Sequence, residues 1–95
     1  MEFADKGTED IYDGLDSKQA RKTVPKYLHK KAQRKLSVMA FAESVDDLRA
    51  PPSNHLEKLR GDRDGQYSIR IDGRFRICFR WTAGRAVDIE IVDYH

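Results

Sequence analysis

The run from Gly65 to His95 constrains the fold of this chain more than any other stretch. It alternates apolar and polar residues with a period of two, the mark of strands that bury one face. Tyr67, Ile69 and Ile71 fall on one face of a first strand. Phe75, Ile77, Phe79 and Trp81 fall on one face of a second, and Val87, Ile89 and Ile91 do the same in a third. Asp72-Gly73 reads as a two-residue type I′ hairpin turn, which needs positive φ at both central residues. Thr82-Ala83-Gly84-Arg85 reads as a longer glycine-containing turn. The expectation is a three-stranded antiparallel meander.

The opposite face of that meander carries Ser68, Arg70, Arg74, Arg76, Cys78, Arg80, Asp88, Glu90, Val92 and Tyr94. A solvated sheet face normally mixes charge signs, and cross-strand Arg–Asp/Glu pairs would account for part of this one. The middle strand, however, offers only arginines at its charged positions, and the last strand runs into Asp93-Tyr94-His95. A cationic strip beside a tyrosine and a titratable histidine is what a phosphodiester-handling site needs.

Charge is segregated along the rest of the chain, although the net value is only +2. Residues 1–16 hold Glu2, Asp5, Glu9, Asp10, Asp13 and Asp16 against Lys6 alone. Residues 18–35 hold Lys18, Arg21, Lys22, Lys26, Lys30, Lys31, Arg34 and Lys35 with no acid. Two basic blocks in one small domain point to a polyanionic partner. A chain of 95 residues makes one domain around a single core. The lone Cys78 suits a reducing cytoplasm. No apolar run approaches the ~20 residues of a membrane span, and the start is acidic rather than signal-like. A cytoplasmic protein with no membrane partner is expected.

Before the meander the reading is helical. Met1 to Asp5 is expected to form a short edge strand anchored by Phe3, and Thr8 to Tyr12 a short helix capped by Thr8. Gly14 to Thr23 carries little pattern and is read as irregular. Thr23-Val24-Pro25 opens a main helix running to about Glu43, because proline is at home in a first turn. Its stripe Val24, Leu28, Ala32, Leu36, Met39 and Ala40 is expected to pack on the apolar sheet face. Lysines and arginines four apart, from Lys18–Lys22 to Lys31–Lys35, line the other side. Pro51-Pro52 forces an extended loop, Leu56 and Leu59 anchor the approach to the sheet, and Gly61 to Gly65 is a tight connector.

The segment Leu59-Arg60-Gly61-Asp62-Arg63-Asp64-Gly65-Gln66-Tyr67-Ser68-Ile69, then Phe75-Arg76-Ile77-Cys78-Phe79, then Asp93-Tyr94-His95, resembles the HigB toxins. These belong to the RelE/ParE superfamily of bacterial type II toxin–antitoxin systems. The resemblance covers most of the chain and is strongest from about Leu59 onward. It implies a compact RelE-like α+β fold over residues 1–95, with N-terminal helices on one face of an antiparallel sheet and the other face cupped and basic. It also implies a ribosome-dependent mRNA endoribonuclease that leaves a cyclic phosphate and a 5′-hydroxyl. The implied partners are the small-subunit RNA and mRNA, and an antitoxin of helix-turn-helix type through which alone operator DNA is reached. Two alternatives stand beside it: a ParE-like poison of DNA gyrase, and a non-enzymatic module that binds an antitoxin and tunes its grip on DNA.

Cleavage through the 2′-hydroxyl needs a base, cations for the phosphate, an acid for the leaving oxygen, and a sugar turned for in-line attack. It needs no metal or other cofactor. His29, His55, His95 and Cys78 have no zinc spacing, and no glycine-rich phosphate loop is present. The resemblance assigns catalysis to His95, Tyr94, Asp93, Arg76 and Arg60. His95 would transfer a proton, and Arg76 would grip the phosphate with a forked pair of donors. Tyr94 would carry an unstacked base, and Asp93 would orient His95. Arg60 stands where the family usually has a lysine and supplies charge, since an arginine makes a poor base. Glu57 stands where a histidine often precedes that segment, with His55 nearby but out of register. Lys58, Arg63, Arg70, Arg74, Lys30, Lys31, Arg34 and Lys35 are the candidate RNA contacts. His29 is read as a solvated helix residue and Cys78 as packing.

Overall fold

The structure, a computed structural model, describes residues 1–94. Three helices, α1 (Lys6–Tyr12), α2 (Lys18–Thr23) and α3 (His29–Phe41), precede four strands, β1 (Glu57–Lys58), β2 (Tyr67–Arg70), β3 (Phe75–Thr82) and β4 (Arg85–Asp93). The strands form one antiparallel sheet in the order β1-β2-β3-β4. Ile11, Leu28, Ala32, Leu36 and Met39 from the helices meet Ile69, Ile77, Phe79, Ile89 and Ile91 from the sheet in a single core. Helices on one face of an antiparallel sheet is the α+β arrangement that the periodicities imply. No helix among the described residues is long and apolar enough to cross a membrane.

The meander is present, but its two turns exchange characters. Thr82 pairs with Arg85, so the second turn has only two residues, Ala83 (φ 52°) and Gly84 (φ 77°). That is the positive-φ pair a type I′ turn requires. At the first turn neither Asp72 nor Gly73 has positive φ. There the Asp72 carboxylate accepts the backbone N–H of Arg74 at 2.9 Å and of Phe75 at 2.8 Å, and this side-chain turn replaces the expected backbone one.

β4 also departs from strict alternation. Its register shifts between Cys78↔Glu90 and Arg80↔Val87, with Asp88 at φ 50° as the extra residue. A bulge of this kind changes which side chains face the core. Ala86, opposite Trp81, joins the core, whereas Val87, expected there, lies opposite Arg80 on the other face. The expected N-terminal edge strand shrinks to a single parallel bridge of Phe3 to Ile89, held by Ala4 N–H to Ile89 C=O at 2.8 Å.

The helices divide differently from the expected short helix at Thr8–Tyr12 and one long helix from Thr23 to about Glu43. The cap of α1 is Asp5, which accepts from Thr8 N–H at 2.7 Å; Thr8 itself is buried and accepts the N–H of Ile91 at 3.1 Å. The stretch read as irregular contains α2, capped by Ser17 on Ala20 N–H at 3.0 Å and anchored by the buried Ala20. Gly7 allows α1 and α2 to touch, since a Cβ there would lie 1.9 Å from Thr23 Oγ1. Thr23 ends α2, Val24-Pro25 is extended, and a 3-10 turn at Lys26–Leu28 leads into α3. The Lys22–Lys26 pair is therefore not helical, and Ala40 is exposed. Asp16 takes both Arg21 (2.9 Å) and Lys26 (2.8 Å), which neutralises part of the basic block.

Between α3 and β2, the buried Asn54 is the fastener. Its Nδ2 donates to Leu48 C=O at 3.1 Å and Ala50 C=O at 3.2 Å, and its Oδ1 accepts from the Lys35 ammonium. Asn54→Ala should lower the unfolding free energy by about 1–3 kcal/mol, because two carbonyls lose their donor inside the protein. Urea denaturation measures this; an unchanged midpoint would mean that the prolines alone hold the loop.

Candidate active site

The centre of the polar face of the sheet is covered rather than open to water, while its margins stay accessible. β1 pairs with β2 at Glu57↔Ser68 and Lys58↔Tyr67, adding a fourth strand that its short, charged sequence does not announce. Ser68 and Cys78 are fully buried, and Arg76 is only 8% exposed. The surface strip expected from alternation is therefore a shallow interior with one arginine at its centre.

Arg76 sits in a cradle. Its Nε donates to Ser68 Oγ at 2.8 Å, and one Nη donates to His55 C=O at 2.6 Å and more weakly to Ser68 C=O at 3.4 Å. The Glu57 carboxylate lies 3.7 Å away, and the Tyr94 ring centroid 5.8 Å from Cζ. His55 aims its carbonyl by adopting left-handed backbone, φ 46° and ψ 54°, a conformation non-glycine residues seldom take unless held there. The other amino group, Nη1, has no hydrogen-bond partner among the described residues. A guanidinium fixed on one side with donors free on the other can receive a phosphate oxygen without reorganising.

The sequence pattern of a family described as "RelE-like toxin of type II toxin-antitoxin system HigB" matches residues 1–95. Toxin HigB-1 of Vibrio cholerae serotype O1 is 36% identical over 88 residues, which is 93% of this chain and 90% of that protein. This chain belongs to the HigB-like toxin family. An uncharacterised Haemophilus influenzae protein is 38% identical over 58 residues, covering 61% of this chain and 57% of that one. Among solved structures, a chain of the YoeB-YefM complex from Staphylococcus aureus superposes with a TM-score of 0.63 at 20% identity. That match covers 99% of this chain and 93% of the other, and it fixes the fold as RelE-like.

In this HigB-like toxin the remaining candidates divide by what they touch. Tyr94 is tied to the sheet by its N–H to Arg74 C=O at 2.7 Å. Its hydroxyl lies beside the Cys78 thiol; burial, and then that thiol, push the phenol above its ordinary pKa. Asp93 receives Arg74 through both carboxylate oxygens, with an ion pair of 2.7 Å. His95 lies outside the described residues, and so does any contact by which Asp93 would orient it. Arg63, from the 3-10 turn Gly61–Arg63, pairs with Glu90 at 2.8 Å, and Arg80 lies 3.6 Å from Asp88, so ion pairing with β4 accounts for these cations as it does for Arg74.

Lys58, Arg60, Arg70, Lys30, Lys31, Arg34 and Lys35 have no acidic partner among the described residues. Arg60 is exposed just before the 3-10 turn Gly61–Arg63. Lys58 shares the side of Tyr67 rather than that of Ser68 and Arg76. Lys30 borders a cavity with Tyr27, His29 and Asp16, whereas Lys31, Arg34 and Lys35 border another with Val38, Pro51 and Asn54. His29 is half-buried, bonded to Val24 C=O at 2.9 Å, and is not a solvated residue. The sequence reading put Ser68 on the right face but did not anticipate that its hydroxyl and the His55 carbonyl hold Arg76.

Proposed function

We propose that this chain is a metal-independent endoribonuclease that cuts mRNA on the ribosome and is silenced by a cognate antitoxin of helix-turn-helix type. The observation that carries this reading is the cradled Arg76 with its free Nη1, beside the ring of Tyr94. In the proposed reaction the 2′-oxygen attacks phosphorus and the bond to the 5′-oxygen breaks. A base removes the 2′ proton, an acid protonates the leaving oxygen, and a cyclic phosphate and a 5′-hydroxyl result. His95 serves one of the proton transfers. Arg76 stabilises the charge that accumulates on the phosphate oxygens, Tyr94 carries an unstacked base, and Arg60 adds positive charge at the rim. Membership of a toxin–antitoxin family supports the antitoxin partner, as does a fold relative from a YoeB-YefM complex.

The test is purified protein added to ribosomes translating a defined mRNA, with the new ends mapped. Fragments bearing cyclic phosphate and 5′-hydroxyl ends are expected. Intact mRNA together with trapped gyrase–DNA breaks would replace this reading by gyrase poisoning, and intact mRNA with operator binding alone by a binding module.

Lys30 and Arg34, unpaired cations of α3, are proposed to dock ribosomal RNA. Reversing Lys30 and Arg34 to Glu should weaken co-sedimentation with ribosomes, and should make the binding that remains less sensitive to salt, since fewer phosphates are neutralised. Unchanged pelleting would exclude these two residues from the interface.

A further inference from the structure

Three of the unpaired cations converge on one place. Lys31 and Lys35 from α3 and Arg70 at the end of β2 line a cleft of about 330 Å³ with Ser53, His55 and Asp72. Lys31 has no hydrogen bond or ion pair among the described residues, and Arg70 commits only its Nε, to Asp72 C=O at 3.0 Å. Asp72 is the one carboxylate in the lining; its Oδ1 accepts the N–H groups of Arg74 and Phe75, and its charge offsets only part of that of Lys31 and Arg70 beside it. Burial, and then the Lys31 ammonium, hold the Lys35 pKa below its ordinary value, as expected where cations outnumber the one carboxylate.

The cleft adjoins the arginine cradle through two links. Arg70 lies directly opposite Arg76 in the β2–β3 register, which sets their backbones about 5 Å apart on one face of the sheet. His55 lines the cleft while its carbonyl holds Arg76. We infer that this cleft seats a phosphodiester of the RNA strand that flanks the one held at Arg76. The inference rests on the nuclease reading for the identity of the strand. The lining favours an anion over an amphipathic peptide, because three cations, a serine and a histidine surround it and Ile71 is its only large apolar member.

The experiment measures binding of a short single-stranded RNA to the full chain, without ribosomes, across a salt series. Lys31→Gln/Arg70→Gln should weaken binding roughly tenfold at low salt. It should also flatten the dependence of log K on log salt by about 0.7 for each phosphate that is no longer neutralised. An RNA with one uncharged methylphosphonate at the flanking position should bind the wild type about tenfold less well, and bind the double variant no worse than unmodified RNA does. Equal loss in both proteins, or a variant that binds RNA like the wild type, overturns the proposal. So does a variant that keeps RNA but releases its antitoxin, which would make the cleft a protein dock. Wild-type cleavage on translating ribosomes reads the nuclease assignment separately. A wild type that holds RNA through the cleft but never cuts sinks that assignment and leaves the cleft; one that cuts while the variant binds normally sinks the cleft alone.

Discussion

Arg76→Ala should remove both cleavage and part of the fold's stability, and Arg76→Lys should separate the two losses. The guanidinium is buried and supplies donors to Ser68 Oγ, Ser68 C=O and His55 C=O. A reading from alternation alone places it in solvent, where truncation leaves no cavity. In the cradle, truncation strands buried acceptors, at a cost of about 1–3 kcal/mol. The same truncation removes the Nη1 donors offered to a phosphate, worth on the order of 3 kcal/mol, or about 100-fold in rate. Lysine keeps the charge and can satisfy one acceptor but has no fork. Its stability should therefore recover to within about 1 kcal/mol of wild type while its rate stays at least ~10-fold down. Urea titrations paired with single-turnover cleavage, both at a temperature where every variant is folded, decide this. An alanine variant as stable as wild type would show that the cradle does not need its arginine; a folded one that cuts at full rate would remove Arg76 from the reaction.

The architecture was legible because two periods carry it. A step of two runs through Tyr67–Ile71 and Phe75–Trp81, and a step of three or four through Leu28, Ala32, Leu36 and Met39; each set meets the other in the core. What was illegible depends on interactions outside such windows. The bulge at Asp88 reverses the facing of Val87 and Ala86, and no local composition marks it. Asp72-Gly73 has the better type I′ sequence, but the Asp72 side chain finds two backbone donors and makes a different turn. α2 was hidden because one buried residue, Ala20, anchors it; the signal available was Ser17 three residues before it, a capping position. At the site, alternation put Arg76 and Ser68 on the correct face, yet their burial comes from β1 and from His55, which approach from a distant part of the chain. The value of Arg60, Lys31, Lys35 and Arg70 as unpaired cations is likewise a property of where the acids are, not of the basic residues themselves.

The largest effect of all is expected at the end of the chain, where His95→Gln should lose about 10²–10⁴-fold in cleavage if its imidazole transfers a proton. The two residues that precede His95 are held to the sheet. Tyr94 N–H is held by Arg74 C=O at 2.7 Å, and Asp93 by the Arg74 guanidinium at 2.7 Å. Tyr94 is 47% exposed, so its ring covers Arg76 on one side and remains open to a ligand on the other. A phenol is neutral at pH 7 even unperturbed, and the surrounding protein, and then the Cys78 thiol, push this one further up, so it is a poor base and the ring is the part offered to a ligand. Tyr94→Phe should accordingly cut within a few-fold of wild type, whereas Tyr94→Ala should lose roughly 1–3 kcal/mol of base stacking, or about 5- to 150-fold. A folded domain fused after His95 should inhibit strongly, and the same domain fused before Met1 should not. Antitoxin capture is the control, since each variant should still be bound if only the chemistry is lost. Should His95→Gln and the C-terminal fusion both cut translated mRNA at the normal rate, the terminus has no part in catalysis, and trapping of gyrase on DNA becomes the assay that this protein calls for.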